Sequence, residues 1–230
     1  MNLSARDEQL RELMDDPDCD PQRLHATLRR FGIVNRLVAG WGRVYRTRLR
    51  DVLSRLDRPA RVLDLGSGGG DVIAHLAGLA ARDGLRAHFT GADPDPRAHQ
   101  MATSRQIPGA TFRCADAEEL LRRGDSFDVV ISNHVIHHLG AAELQTFIAA
   151  SRRLATTTVL HGDIARGRLA YGLFAVGITP LAPGTFLRTD GLRSIRRSHQ
   201  RAELAAALGT PWSVTQPTPF RLLAQGPGLG

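Results

Sequence analysis

The run Arg61-Val-Leu-Asp-Leu-Gly-Ser-Gly-Gly-Gly-Asp71 constrains the fold of this chain more than any other stretch. An apolar strand ends abruptly in a glycine-rich turn, and a helix-forming sequence follows. A second apolar run, His88-Phe-Thr-Gly-Ala-Asp93, then closes on an acid. Strand, glycine turn, helix, strand and terminal acid describe a βαβ unit of the nucleoside-binding kind. The glycines leave no Cβ between the backbone and a ligand. The acid can accept hydrogen bonds from both hydroxyls of a ribose.

From Arg61 onward, strands and helices alternate. Val62–Leu65, Phe89–Ala92, Ala110–Cys114, Phe127–Ser132 and Thr156–His161 read as five strands. Between them, Val72, Ile73, Leu76 and Leu79 give one helix an apolar face. Pro96–Ser104, Glu118–Arg123 and Glu143–Leu154 supply the others. Such alternation predicts a parallel sheet covered on both faces. Residues 165–190 hold Gly, Pro and aromatics without clear periodicity, and they follow the fifth strand on the edge where open α/β sheets bind ligands. Ser198 is a candidate cap for a helix through Leu208, and two further strands are expected at 211–215 and 220–224.

The first 56 residues predict a helical cap. Asp7 to Met14 can form a short helix, broken by Asp15-Asp-Pro-Asp-Cys-Asp20. Asp20 caps a second helix with Pro21 at its first position. Leu24, Leu28, Phe31, Val34 and Leu37 form one stripe, and Gly40-Trp-Gly42 interrupts before Val44–Leu56 resumes. This pattern serves equally for a packed cap and for a lid that brings Asn35, Trp41, Arg43 and Tyr45 to a ligand.

Glycine spacing separates two ligand classes. A dinucleotide turn needs a glycine where Asp71 stands, and an acid at that helix mouth would face the pyrophosphate. The stretch Asp64 to Gly70 instead reads Asp-x-Gly-x-Gly-x-Gly. It resembles the first motif of class I S-adenosylmethionine-dependent methyltransferases. Three later positions carry the resemblance on: Asp93, Asp116 in Cys-Ala-Asp-Ala, and Phe127-Asp-Val-Val-Ile-Ser-Asn133. It covers residues 60–164 well and implies a Rossmann-like, mainly parallel seven-stranded sheet with a reversed last strand and helices on both faces. It divides the chain into an N-terminal helical cap or lid, 1–56, and a cofactor-binding domain, 57–230, with 165–190 as a substrate-side insertion. The implied cofactor is S-adenosylmethionine. Gly66, Gly68 and Gly70 would then let the backbone reach its methionine part, Ser67 would bond its carboxylate, and Asp64 would either contact its amine indirectly or fix the loop. Asp93 would hold its ribose and Asp116 its adenine, Asn133 would stand at the strand end facing its sulfonium, and Pro94 and Ala117 complete the cofactor-binding set. The chain is similar overall to bacterial small-molecule methyltransferases of secondary metabolism, including those acting on phenolic polyketides and quinones.

Methyl transfer to a hydroxyl benefits from a base with a near-neutral pKa. Asn133-His134-Val-Ile-His137-His138 follows the fourth strand. His134 leaves the strand at its ligand end and is the first candidate; His138, one helical turn on, is the second. His137 is read as packing beneath the loop. His161 and Asp163 are further candidates for substrate contact. No pair of His, Cys, Asp or Glu has metal-ligand spacing, so catalysis is expected to be metal-independent.

The net charge is +7, and all 30 basic residues are Arg. They are dispersed, with local density only at Arg188–Arg201, and aromatics are 5 % of the chain, which leaves little stacking surface for single-stranded RNA. Composition bias accounts for the arginines better than nucleic-acid binding does. Cys19 and Cys114 read as reduced thiols, and no apolar leader or membrane span is evident, so a cytoplasmic protein is expected. The leading function is methylation of a small, partly apolar acceptor, at a hydroxyl or phenol oxygen. The alternatives are an RNA, nitrogen or carbon acceptor, and a non-catalytic cofactor-binding or partner protein.

Overall fold

The computed structural model describes residues 3–230, with the side chain of Leu37 outside the described set. Seven strands form one sheet: β1 (Ala60–Leu65), β2 (Ala87–Asp93), β3 (Ala110–Cys114), β4 (Phe127–Asn133), β5 (Ala155–Ile164), β6 (Ser213–Thr218) and β7 (Arg221–Pro227). Their order is β3-β2-β1-β4-β5-β7-β6. The first five run parallel, and β7 pairs antiparallel with both β5 and β6. Strand order reverses between β1 and β4, so their C-terminal ends flank the switch point where such sheets bind ligands. Asp128, buried near the start of β4, fixes this pair: its carboxylate accepts from the Arg61 backbone N–H at 2.7 Å and from both ends of the Arg58 guanidinium at 2.8 and 2.6 Å.

Alternate residues face opposite sides, as the period of a strand requires. Val62, Val129, Ile131 and Leu160 pack with Phe89 and with Ile73 and Leu76 of α4 (Asp71–Arg82). Joining them are Trp41 and Val44 of α2 (Trp41–Val44), Tyr45 and Leu49 of the π turn that follows, and Leu53 of α3 (Arg50–Ser54). On the other face Leu63, Leu65, Val130 and Val159 pack against Leu120 of α6 (Ala117–Arg122) and Leu154 of α7 (Ala141–Leu154). Every residue of β4 is buried, as befits a central strand covered on both sides.

The capped helix is present as α1 (Pro21–Val38): Asp20 accepts from the N–H groups of Gln22 and Arg23, and Pro21 opens it. A helix α5 (Pro96–Ser104) follows β2. Three expectations fail for physical reasons. Residues 7–14 are not helical. They form an irregular strap whose backbone is satisfied by side chains from elsewhere: Asp190 accepts from the N–H groups of Leu13 and Met14 at 2.8 and 3.0 Å, and Arg197 donates to the Leu10 carbonyl at 2.6 Å. Residues 165–190 are largely helical, containing α8 (Arg168–Gly177) and the first turn of α9 (Leu187–Arg197). Ser198 ends α9 instead of starting the next helix, α10 (Arg201–Leu208), whose N-cap is Gln200.

Candidate active site

The turn after β1 is held against β2. The N–H groups of Gly66 and Ser67 both donate to the Ala92 carbonyl, at 2.8 and 3.1 Å. Gly66 adopts φ 71°, and a Cβ there would lie 2.6 Å from Val135. Gly70, at φ 75°, would strike Phe112 in the same way. Gly68, at φ 52°, faces open space. These glycines therefore shape a turn that bears on its neighbours at its ends and opens at its centre. Arg105 of the segment after α5 clasps the turn from outside through the Gly69 carbonyl.

Three carboxylates surround this turn. Asp64 on β1 is buried, and its Oδ1 has no hydrogen-bond partner. Burial, reinforced by Asp71 and Asp93, drives its pKa well above the usual carboxylate range. Asp71 opens α4 and accepts from Asn35 Nδ2 of α1 at 2.9 Å; burial raises its pKa against that bond. Asp93 accepts from the N–H groups of Gly68 and Asp95 at 2.8 and 2.9 Å, and burial again raises its pKa. A buried carboxylate with an empty acceptor position is costly unless a cation or donor meets it. The methionine ammonium of S-adenosylmethionine is such a group, so the acceptor left open at this turn fits that cofactor.

A cavity of about 730 Å³ opens beside the turn. Asp64, Gly66, Ser67, Gly68 and Asn133 line one end, with His134 and His138 alongside. Leu28, Phe31 and Val34 of α1 and Leu173, Phe174, Ile178 and Leu187 from the α8–α9 region form an apolar wall. Asp93, Pro94, Asp116 and Ala117 lie outside this lining, at the ends of β2 and β3. Asp116 is exposed and caps α6, accepting from the Glu119 N–H at 2.8 Å. Of the expected lid residues, Asn35 borders the cavity. Trp41 and Tyr45 are core residues instead, Tyr45 bonding Asp83 at 3.1 Å, and Arg43 points to solvent.

The histidine cluster differs from its sequence reading. His134 sits at φ 62° and its Nε2 lies 2.6 Å from the Arg221 guanidinium, which donates to it; Arg221 also donates to Asn133 Oδ1 at 2.9 Å. Burial and Arg221 push the His134 pKa well below its ordinary value. The lone pair that a base would use is thus engaged. His137, read as mere packing, is the most connected of the three. Its Nδ1 is 2.7 Å from Asp163 Oδ1, its Nε2 is 3.2 Å from Glu12 Oε1, and its backbone N–H donates to Asp163 Oδ2 at 2.8 Å. Burial lowers its pKa, but the two carboxylates outweigh burial and raise it to about 9. Asp163 in turn is held below the carboxylate range by His137 despite burial. His138 is part-exposed, with Nδ1 3.2 Å from Asp15 and Nε2 3.7 Å from Glu12. His161 is away from the cavity: its Nδ1 meets Ser132 Oγ at 2.7 Å, and its ring stacks on Trp212.

Glu12, Asp15 and Arg221 were missed by the sequence reading. Glu12 and Asp15 sit in a polar stretch that only folding carries to the end of β4. Arg221 opens β7, whose antiparallel insertion beside β5 turns its first residue toward the ligand edge.

A methyltransferase-domain family model matches residues 62–157. The ubiquinone biosynthesis O-methyltransferase of Rhizobium etli is 38 % identical over 87 residues, 36 % of this chain and 33 % of that protein. Its counterpart in Rhizobium rhizogenes is 34 % identical over 97 residues, 41 % of this chain and 36 % of that protein. The chain thus matches about a third of the length of these curated relatives. The structure of the plantazolicin methyltransferase BpumL with SAH superposes at a TM-score of 0.61 and 12 % identity, covering 90 % of this chain and 96 % of that one. Magnesium protoporphyrin IX methyltransferase from Synechocystis PCC 6803 with bound SAH gives 0.56 at 20 % identity, covering 87 % and 85 %. These two likenesses concern the fold. Sheet order and glycine turn are thus those of the class I S-adenosylmethionine-dependent methyltransferase fold, and residues 62–157 match a methyltransferase domain.

Proposed function

We propose that this chain transfers a methyl group from S-adenosylmethionine to a hydroxyl or phenol oxygen of a small, partly apolar acceptor. The observation that carries this reading is the single cavity that joins the glycine turn to an apolar chamber with a polar floor. In this reading residues 57–230 are the cofactor-binding domain, residues 1–56 cap it, and 165–190 close the acceptor side. The curated relatives, by their names, methylate oxygen in ubiquinone biosynthesis, which supports a quinone-like phenol as acceptor class. Among the described residues no helix is long and apolar enough to cross a membrane.

When bound, the cofactor supplies a methyl group on a positively charged sulfur that needs no further activation. The backbone of Gly66, Ser67, Gly68 and Gly70 borders its methionine portion. Asp64 Oδ1 would accept a hydrogen bond from the ammonium, and that positive charge would favour the ionised carboxylate. Asp93 and Pro94 lie where the ribose is expected, and Asp116 and Ala117 where the adenine is. Asn133, fixed by Arg221, marks the end of β4 next to the transfer point. The chamber walls from α1, α8 and α9 exclude water and orient the acceptor, and placement supplies much of the rate. Glu12, His137 and His138 form the polar floor toward which the acceptor oxygen points.

Calorimetry tests the cofactor assignment. S-adenosylhomocysteine should bind in the micromolar range usual for enzyme ligands, roughly 1 µM–1 mM, and NAD should not. NAD binding without S-adenosylhomocysteine binding would remove the methyltransferase reading. Methyl transfer from labelled cofactor to a panel of substituted phenols then tests the acceptor class.

A further inference from the structure

At the floor of the chamber, three hydrogen-bonding groups converge on one oxygen. His137 Nε2, His138 Nε2 and Ser194 Oγ lie 3.2, 3.7 and 2.5 Å from Glu12 Oε1. Both imidazoles are turned this way by the same device. His137 Nδ1 rests on Asp163 at 2.7 Å, and His138 Nδ1 rests on Asp15 at 3.2 Å. Each ring thereby presents Nε2 to Glu12. A carboxylate on one imidazole nitrogen, with the other nitrogen aimed at a shared point, is how metal-ligating histidines are oriented and made more basic. Ligand atoms about 2.0–2.2 Å from one ion stand roughly 3–3.5 Å apart. The ligand atoms of Glu12, His137 and His138 all lie within 4.8 Å of one another.

We propose that Glu12, His137 and His138 bind a divalent transition-metal ion whose remaining coordination positions open into the acceptor chamber. All three residues line the cavity. Two imidazoles and one carboxylate suit zinc, manganese, iron(II) or cobalt(II), and three protein ligands leave positions for a water or a substrate oxygen. The carboxylates of Glu12, Asp15 and Asp163 supply negative charge around the dication. The Arg6 and Arg197 guanidiniums are engaged with backbone, donating to the carbonyls of His137 and His138. On binding, the ion takes the place of the proton that His137 shares with Glu12, and that proton leaves to solvent. An acceptor hydroxyl on the ion would ionise more readily, the effect a bound dication has on water. This role rests on the proposed function; the binding itself does not.

The test is zinc titration of chelator-treated protein by calorimetry, without cofactor or acceptor. One ion should bind per chain. Glu12→Gln and His138→Ala should each weaken it by at least about tenfold, and Asp163→Asn by roughly 10–100-fold. His25→Ala, on the exposed face of α1, should leave it unchanged. Because a buried substitution can disturb folding, cobalt(II) added to the unmodified protein gives an independent readout. It should show visible bands of a nitrogen–oxygen site without thiolate charge transfer, and phenol should shift them. Absence of zinc binding at millimolar concentration, or equal affinity in Glu12→Gln and His138→Ala, would overturn the site. Bands unmoved by phenol would overturn its access to the chamber. S-adenosylhomocysteine binding to the same chelated protein separates failure of this site from failure of the methyltransferase reading.

Discussion

Asp64 shows how one side chain can oppose stability and serve binding. Its buried, unpaired oxygen disfavours the folded state without ligand, and the same oxygen is an acceptor kept for a cation. Asp64→Asn should therefore raise the melting temperature of the ligand-free protein. It should also weaken S-adenosylhomocysteine by about ten- to a hundredfold, the equivalent of a charged hydrogen bond of ~1.5–3 kcal/mol. Differential scanning calorimetry and binding calorimetry on one sample check both signs. His134 makes the contrasting case. Its Nε2 accepts from Arg221, so His134→Ala should leave the acidic limb of the pH–rate profile in place and lower turnover only through displacement of Asn133 and Arg221. Disappearance of that limb would return His134 to the role of base. The glycines, Asp64 and Asp93 were readable because their neighbours in space are neighbours in the motif. Glu12 was not, because its partners His137 and Ser194 lie 125 and 182 residues away.

At the scale of elements, the βαβ alternation was legible from Arg61 to Ile164 because each strand carries its own apolar run and each helix its own face. The α8–α9 region was not. Gly172, Gly177 and Gly191 lower its helix propensity, and its order comes from packing. Gly191 permits that packing, for a Cβ there would overlap the Phe174 ring. Gly191→Val should pry α8 from α9 and open the chamber wall. Acceptor KM should then rise about tenfold or more, the worth of one well-packed apolar contact, while S-adenosylhomocysteine affinity stays unchanged. A parallel loss of cofactor affinity would show that α9 braces the glycine turn as well. Residues 7–14, part of the strap that spans 3–20, failed as a helix prediction for a related reason. Its backbone partners are the side chains of Asp190, Arg197 and Arg166, none of which a local pattern announces.

At the scale of the whole molecule, one buried histidine should make stability depend on acid. Burial holds His161 neutral, with a pKa of about 3 in the fold, against the usual value near 6.5. The sign follows from linkage: below pH 6.5 the unfolded chain takes up a proton that the folded one refuses. Stability should fall from pH 6.5 toward pH 3, by up to about 1.4 kcal/mol per pH unit for this one group. Asp190, raised to about 6 by burial, works in the opposite direction, since its folded form gains a proton first as pH falls. Urea melts of the native protein and of His161→Phe between pH 4 and 7 isolate the histidine contribution as a difference in slope. Equal slopes would mean that the ring titrates alike in the folded and unfolded chain.

The placement of β7 between β5 and β6 has a consequence for the growing and the damaged chain alike. β6 is made first yet touches the sheet only through β7, so neither joins until both exist. Until then the 10-residue β5 presents a bare, apolar-centred edge. Open edges of this length recruit strands from other molecules. A chain stopped after Gly209 should consequently lose two strands at once and accumulate as insoluble aggregate, and a synthetic 213–227 hairpin peptide supplied during refolding should restore soluble, cofactor-binding material. Folding of this sheet would then wait on the hairpin of residues 213–227, which covers the β5 edge.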